Sequence, residues 1–198
     1  MSKYGKRGKI LLAGINVFAE KGYQEAKISE IAEKADIANG TIYEYFKNKE
    51  ELLFSTPELK NKEFCDQLEL HLRGINGAFN KFRKYIWWWL YFSEEYPDYA
   101  KILLMELRSQ KKFREHPAYQ KVKRATDILL QIIEEGKEEE TIQKNLDSYL
   151  VRHLLMGFVE HIITRWLLKD RGYSLVQYTN PITELIIKAV QKEKTETR

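Results

Sequence analysis

A chain of 198 residues with 43 % hydrophobic content is long enough for one domain or two small ones, and apolar enough to bury a core without covalent staples. Its one cysteine, Cys65, excludes an intramolecular disulfide. The longest apolar run, the eight residues from Tyr85 to Phe92, is far short of the roughly 20 needed to cross a bilayer. With no apolar signal-peptide core behind Met1-Ser-Lys-Tyr-Gly-Lys-Arg7, the expected location is the cytoplasm, with no membrane segment. A net charge of +4 from 33 basic and 29 acidic side chains says little about partners, because most of these belong to solvated helix faces. Position says more: Lys3, Lys6, Arg7 and Lys9 precede the first acid, Glu20, and form a basic arm that Gly5 and Gly8 are expected to keep flexible.

Helical periodicity runs through the chain and strand alternation is almost missing. Ile10, Ala13, Gly14, Val17 and Phe18 predict a first amphipathic helix that Gly22 stops. Ile28, Ile31, Ala32 and Ala35 give a short second helix, Asp36 a turn, and Asn39 to Tyr45 a short third. Asn48 is placed to cap a fourth helix, with Glu50 and Glu51 in its favourable first turn. Pro57 then forces a break or kink, where Ser55 and Glu58 have capping-box spacing. Farther on, Glu134-Glu-Gly-Lys-Glu-Glu-Glu140 reads as a solvated connector. Val151, Leu155, Phe158, Val159, Ile162 and Trp166 stripe a helix over Asp147 to Leu168, and Asn180-Pro181 opens a last one with Ile182, Leu185, Ile186, Ala189 and Val190 at core spacing. The fold class is all-α: an N-terminal three-helix unit over residues 1–48, and a larger helical body over 49–198.

The segment Ala35-Asp-Ile-Ala-Asn-Gly-Thr-Ile-Tyr-Glu-Tyr-Phe-Lys-Asn-Lys-Glu-Glu-Leu52 carries many hydrogen-bond donors around few apolar residues. The second helix of a helix-turn-helix needs this chemistry, since hydroxyls, amides and lysines fix its register on phosphates. Glu20-Lys-Gly-Tyr23, Ile31-Ala-Glu-Lys-Ala35, Gly40-Thr-Ile-Tyr-Glu-Tyr-Phe46 and Lys49-Glu-Glu-Leu52 together resemble the DNA-binding domain of the tetracycline-repressor (TetR) family over residues 9–54. The resemblance implies a one-component bacterial regulator, usually a repressor, with a C-terminal domain for ligand binding and dimerisation. It places Thr41 and Tyr43 on phosphates, Tyr45 at a DNA-facing position, Lys49 on the backbone, and Gly40 where the chain approaches closely. Asn39 is placed either to read an adenine edge or to cap the helix. Three positions depart from the family's pattern: Asp36 where glycine is frequent, Ala38 where serine is, and Lys27 where threonine is. Lys27 either adds a phosphate contact or is solvated. Residues 1–54 carry nine basic and eight acidic side chains. Bulk charge therefore cannot supply tight binding, which favours a homodimer on a near-palindromic operator in double-stranded DNA.

In the body, Lys84-Tyr-Ile-Trp-Trp-Trp-Leu-Tyr-Phe92 is apolar around the whole helix. Two readings stand: plain core, or the wall of an apolar effector cavity. Tyr99 to Arg108 and Gly157 to Trp166, with Leu168 to Leu175, are similar to the branch of the family that controls fatty-acid degradation and answers to long-chain acyl-CoA. That likeness implies a hydrophobic effector and no individual contact; the apolar helices themselves offer Trp87, Trp88, Trp89, Leu103, Leu104, Leu107, Arg108 and Phe158 as candidate lining, and Lys101, Arg165 or Lys169 as further rim cations. The alternatives are a multidrug-sensing repressor of an efflux system and, from a different class, a helical interaction module without DNA binding. Catalytic and metal sites are not expected: Cys65 stands alone, and His71, His116, His153 and His161 lack ligand or nucleophile spacing. No cofactor is expected.

Overall fold

A computed structural model describes residues 5–169 and 171–192. In chain order the helices are α1 (Lys6–Glu25), α2 (Ile28–Ala35), α3 (Asn39–Tyr45), α4 (Lys49–Ser55), α5 (Pro57–Leu72), α6 (Ala78–Glu95), α7 (Pro97–Lys101), α8 (Lys111–Glu115), α9 (Pro117–Glu138), α10 (Ser148–Leu168) and α11 (Thr179–Val190). A π-helical turn spans Ile102–Leu107 and a 3-10 turn Leu175–Tyr178. Among the described residues, extended pairing is limited to one isolated antiparallel bridge, Ile142 to Gln191.

Packing groups the chain into two compact units: Met1–Glu63 with Tyr96–Val122, and Phe64–Glu95 with Lys123–Arg198. In the first, α1 lies against α2, α4, α7 and the π turn. Its core runs from Ile10, Leu11 and Phe18 through Ile31, Ile42 and Phe46 to Leu52, Leu53, Ile102 and Leu107. Gly22 is the stop the sequence implied: its φ of 75° lies in the left-handed region that favours glycine, and it breaks the helical path before Glu25. Lys101 Nζ donates to the carbonyl of Ala19 at 2.6 Å, near this carboxyl end of α1.

The basic arm departs from expectation. Lys3 lies outside the described residues, but from Lys6 onward the segment is helix rather than flexible arm, with Gly8 buried. Two ties hold it. The Arg7 guanidinium lies 5.1 Å from the Phe46 ring centroid and donates to Glu58 Oε2 at 2.7 Å. Glu58 also pairs with Lys121 at 3.3 Å, so its carboxylate serves two cations rather than a capping box with Ser55. The break is where Pro57 put it, between α4 and α5.

In the second unit α6 lies against α10, α11 and the 3-10 turn. Tyr85 is buried, and its hydroxyl donates to the Ala125 carbonyl at 3.0 Å. Burial raises the Tyr85 pKa, which keeps the phenol a neutral donor. Cys65 is also fully buried. Glu94 accepts hydrogen bonds from the Ser174 hydroxyl and from the amides of Leu175 and Val176, which anchors the 3-10 turn on the last turn of α6. The acidic run at 134–140 is mainly helix, not connector, because α9 continues to Glu138. Its acids are partly used: Glu135 pairs with Lys81, and Glu139 accepts from the Ala78 amide at the start of α6.

Candidate nucleic-acid interface and effector site

The α2–α3 turn is built by Asp36, at φ 55° and ψ 55°, whose amide closes on Glu33. An aspartate tolerates this left-handed conformation better than most non-glycine residues. Ala38 then takes the N-cap of α3 and supplies no side-chain bond, so that cap lacks the hydroxyl a serine would bring. Of the seven residues of α3 only Ile42 is buried, and Phe46 follows it into the core. Those two anchors turn the rest outward. Asn39 and Gly40 are exposed and Thr41 is half-buried. Tyr43 is 57 % exposed and Tyr45 38 %, large fractions for aromatic side chains that have a core within reach. Among the described residues, a Cβ added to Gly40 would meet nothing within 4 Å, which leaves open approach for another backbone.

Lys27 is exposed at the N-cap of α2. An ammonium cannot accept a hydrogen bond, so only half of a capping box forms there: the Lys27 amide donates to Glu30 Oε2 at 3.1 Å. Glu30 also binds Lys21 at 2.9 Å; this bond, then that to the Lys27 amide, holds its carboxyl below the usual range. Asn48 caps α4 as its sequence position implied, accepting from the Glu51 amide at 2.8 Å. Lys49 does more than face outward. Its Nζ donates to the carbonyls of Gln24 at 3.2 Å and Ala26 at 3.0 Å, and sits 4.6 Å from the Tyr23 ring centroid. The start of α4 is thereby tied to the link between α1 and α2. An ammonium has three donors, and these two carbonyls take two of them.

The eight candidate effector residues fall in both packing units. In the first, Leu107 is fully buried in the core, Leu103 and Leu104 are half-buried in the π turn, and Arg108 is exposed just beyond it. In the second, Trp88 is buried, and its indole N–H donates to the Phe64 carbonyl at 3.0 Å. Trp87 and Trp89 are half-buried, and Phe158 is exposed on α10. Trp87 stacks on Tyr91 with centroids 5.3 Å apart. It also lines a cleft of about 470 Å³ with Arg83, Lys84 and Thr179. Sequence reasoning passed over those three, because two adjacent cations on a helix read as a solvated face.

An exposed recognition helix set on a three-helix scaffold, followed by a larger helical body, defines a DNA-binding helix-turn-helix regulator rather than an enzyme. Comparison with known proteins makes the assignment specific. The pattern of bacterial regulatory proteins of the tetR family matches residues 10–56, and that of the C-terminal region of YsiA-like proteins matches residues 58–189. The chain belongs to the tetR family. It is 31 % identical to the fatty acid metabolism regulator protein of Bacillus subtilis (strain 168) over 193 residues, covering 96 % of this chain and 98 % of that one. Among solved structures, the transcriptional regulator FadR from Bacillus subtilis in complex with stearoyl-CoA superposes with a TM-score of 0.85, at 31 % identity over 92 % of this chain and 98 % of the other. The fatty acid degradation regulator FadR from Bacillus halodurans gives 0.83, at 29 % identity over 90 % and 96 %. No helix among the described residues is long and apolar enough to cross a membrane.

Proposed function

We propose that this protein is a cytoplasmic repressor of fatty-acid metabolism genes that binds a near-palindromic operator as a homodimer and releases it when a long-chain acyl-CoA binds. Residues 1–48 are the DNA-binding domain and 49–198 the effector and dimerisation domain. The observation that carries the reading is the outward display of α3: Asn39, Thr41, Tyr43 and Tyr45 turn donors to solvent while Ile42 and Phe46 hold the helix down. In the bound state α3 enters the major groove, Thr41, Tyr43, Lys49 and Lys27 hold phosphates, Gly40 allows close approach, and Asn39 faces base edges. The effector class is supported by the likeness, over nearly the whole chain, to a regulator whose structure holds stearoyl-CoA.

The homodimer is supported by the surface of α10. Leu150, Leu154 and Phe158, at 65 %, 49 % and 37 % exposure, follow one another every fourth residue, and Leu185 of α11 is 55 % exposed. Such a row is suited to a two-fold interface in which these helices meet their symmetry mates. Selecting bound sequences from random duplex DNA tests the reading: two inverted half-sites are expected, and stearoyl-CoA should release the selected duplex while free CoA does not. Failure to enrich any sequence would refute the regulator; release by planar cationic compounds and not by acyl-CoA would replace the effector.

A further inference from the structure

The cleft beside Trp87 lies between the first half of α6 and the amino end of α11. Its volume of about 470 Å³ is in the range of small-molecule sites. Arg83 and Lys84 line it, no Asp or Glu does, and neither cation has an ion-pair partner among the described residues. Lys84 instead holds its Nζ 4.2 Å from the Trp87 ring centroid. His71 packs edge-on against that same ring with centroids 5.4 Å apart, and burial, with the charge of Lys84, lowers its pKa. The other wall is the first turn of α11, where Thr179 and Asn180 present the positive end of a 12-residue helix. Thr179 is only 7 % exposed, and its hydroxyl has no hydrogen-bond partner among the described residues. A buried hydroxyl without a partner is costly unless something supplies one. Two cations without ion-pair partners among the described residues and a helix amino end line one cleft, an orphaned hydroxyl lies buried in that helix's first turn, and together they share a single complement, a multivalent oxyanion.

We propose that this cleft is a phosphate-binding site for a phosphorylated small molecule, with the Arg83 fork and the Lys84 ammonium on the phosphate oxygens, Thr179 donating its hydroxyl, and Trp87, Ile75 and Val176 flanking the attached body. Arginine suits two phosphate oxygens at once, while lysine acts as a point charge. The phosphate can arrive on the nucleotide head of an acyl-CoA or on a free nucleotide. The first source rests on the effector reading above; the site itself does not.

The test is calorimetric titration of the full chain with adenosine 3′,5′-bisphosphate, adenosine and stearoyl-CoA, using wild type, Arg83→Ala, Lys84→Ala and Thr179→Val. Adenosine should not bind. The bisphosphate should bind wild type and lose at least tenfold in Arg83→Ala and in Lys84→Ala. Thr179→Val should raise the melting temperature of the ligand-free protein while weakening the phosphate, a pairing that a purely structural role for the hydroxyl would not give. A parallel loss for stearoyl-CoA assigns its nucleotide head as the source; a loss confined to the bisphosphate assigns a free phosphorylated ligand. If neither ligand is weakened by Arg83→Ala or Lys84→Ala, the site is refuted. Operator affinity of the ligand-free variants is read separately, so failure of the DNA reading and failure of the cleft are distinguishable.

Discussion

Replacing Lys49 with alanine removes an ammonium that serves two ends. In the free protein it bridges the Gln24 and Ala26 carbonyls, so its loss should destabilise the first unit by about 1 kcal/mol. On DNA it is expected to neutralise a phosphate, so affinity for all duplexes should fall and the slope of log affinity against log salt should shrink by about one. Tyr43→Phe separates the two roles: its phenol is exposed, so affinity should drop with melting temperature unchanged. Anisotropy titrations across a salt series decide, and an unchanged salt slope in folded Lys49→Ala would remove its phosphate contact. Glu58 sets a pH dependence. Burial would raise its carboxyl, but the hydrogen bond and charge of Arg7, seconded by Lys121, outweigh that and hold it below the usual range. Its contribution is therefore fully present above the unfolded pKa of about 4.3 and is lost as pH falls through the folded value. Glu58→Gln should cost up to about 1 kcal/mol at neutral pH, the partly solvated pair being screened, and nothing in acid. Equal denaturation midpoints at pH 7 would sink that account.

At the scale of elements, the α9–α6 contact gives a sharp expectation. Gly136 is buried, and a Cβ placed there would come 2.5 Å from Ile142 Cδ1 and 2.9 Å from Ala78 Cβ. Gly136→Ala should therefore destabilise by roughly 1–3 kcal/mol despite its better helix propensity, as a urea midpoint would show. The acidic composition around this glycine suggested a connector, because charge along a sequence does not reveal which carboxylates meet Lys81 or the first amide of α6. The helix-turn-helix was far more legible. Its signals are local: Gly22 at a stop, Asp36 in a left-handed turn, Asn48 at a cap, and Ile42 with Phe46 as anchors. The π turn at Ile102–Leu107 could not be read, since its composition is that of any apolar helix and only its hydrogen-bond register differs.

For the whole molecule, the assembly prediction is direct. Leu154→Glu should give monomers at micromolar concentration in sedimentation and abolish operator binding, while the melting of the first unit persists. A wild-type monomer under those conditions would refute the dimer. Release by effector has a definable size: a hundredfold preference for the released state corresponds to about 2.7 kcal/mol against DNA binding, and an acyl-CoA with less differential affinity would only partly derepress. What the sequence could not reveal at this scale is the partnership of Tyr96–Val122 with the N-terminal helices. That pairing joins segments far apart in the chain, and periodicity reports which face of a helix is apolar without saying which helix covers it.

Cys65 is the chain's one thiol, and it is fully buried. A reagent that alkylates surface thiols thus meets a chemically blank exterior. A cysteine introduced at exposed Glu44, beside the expected DNA-contacting residues of α3, should take a nitroxide label without any need to remove the native cysteine. In a homodimer such a label has one counterpart, so pulsed electron resonance would report a single distance, read with operator, with effector, and with neither.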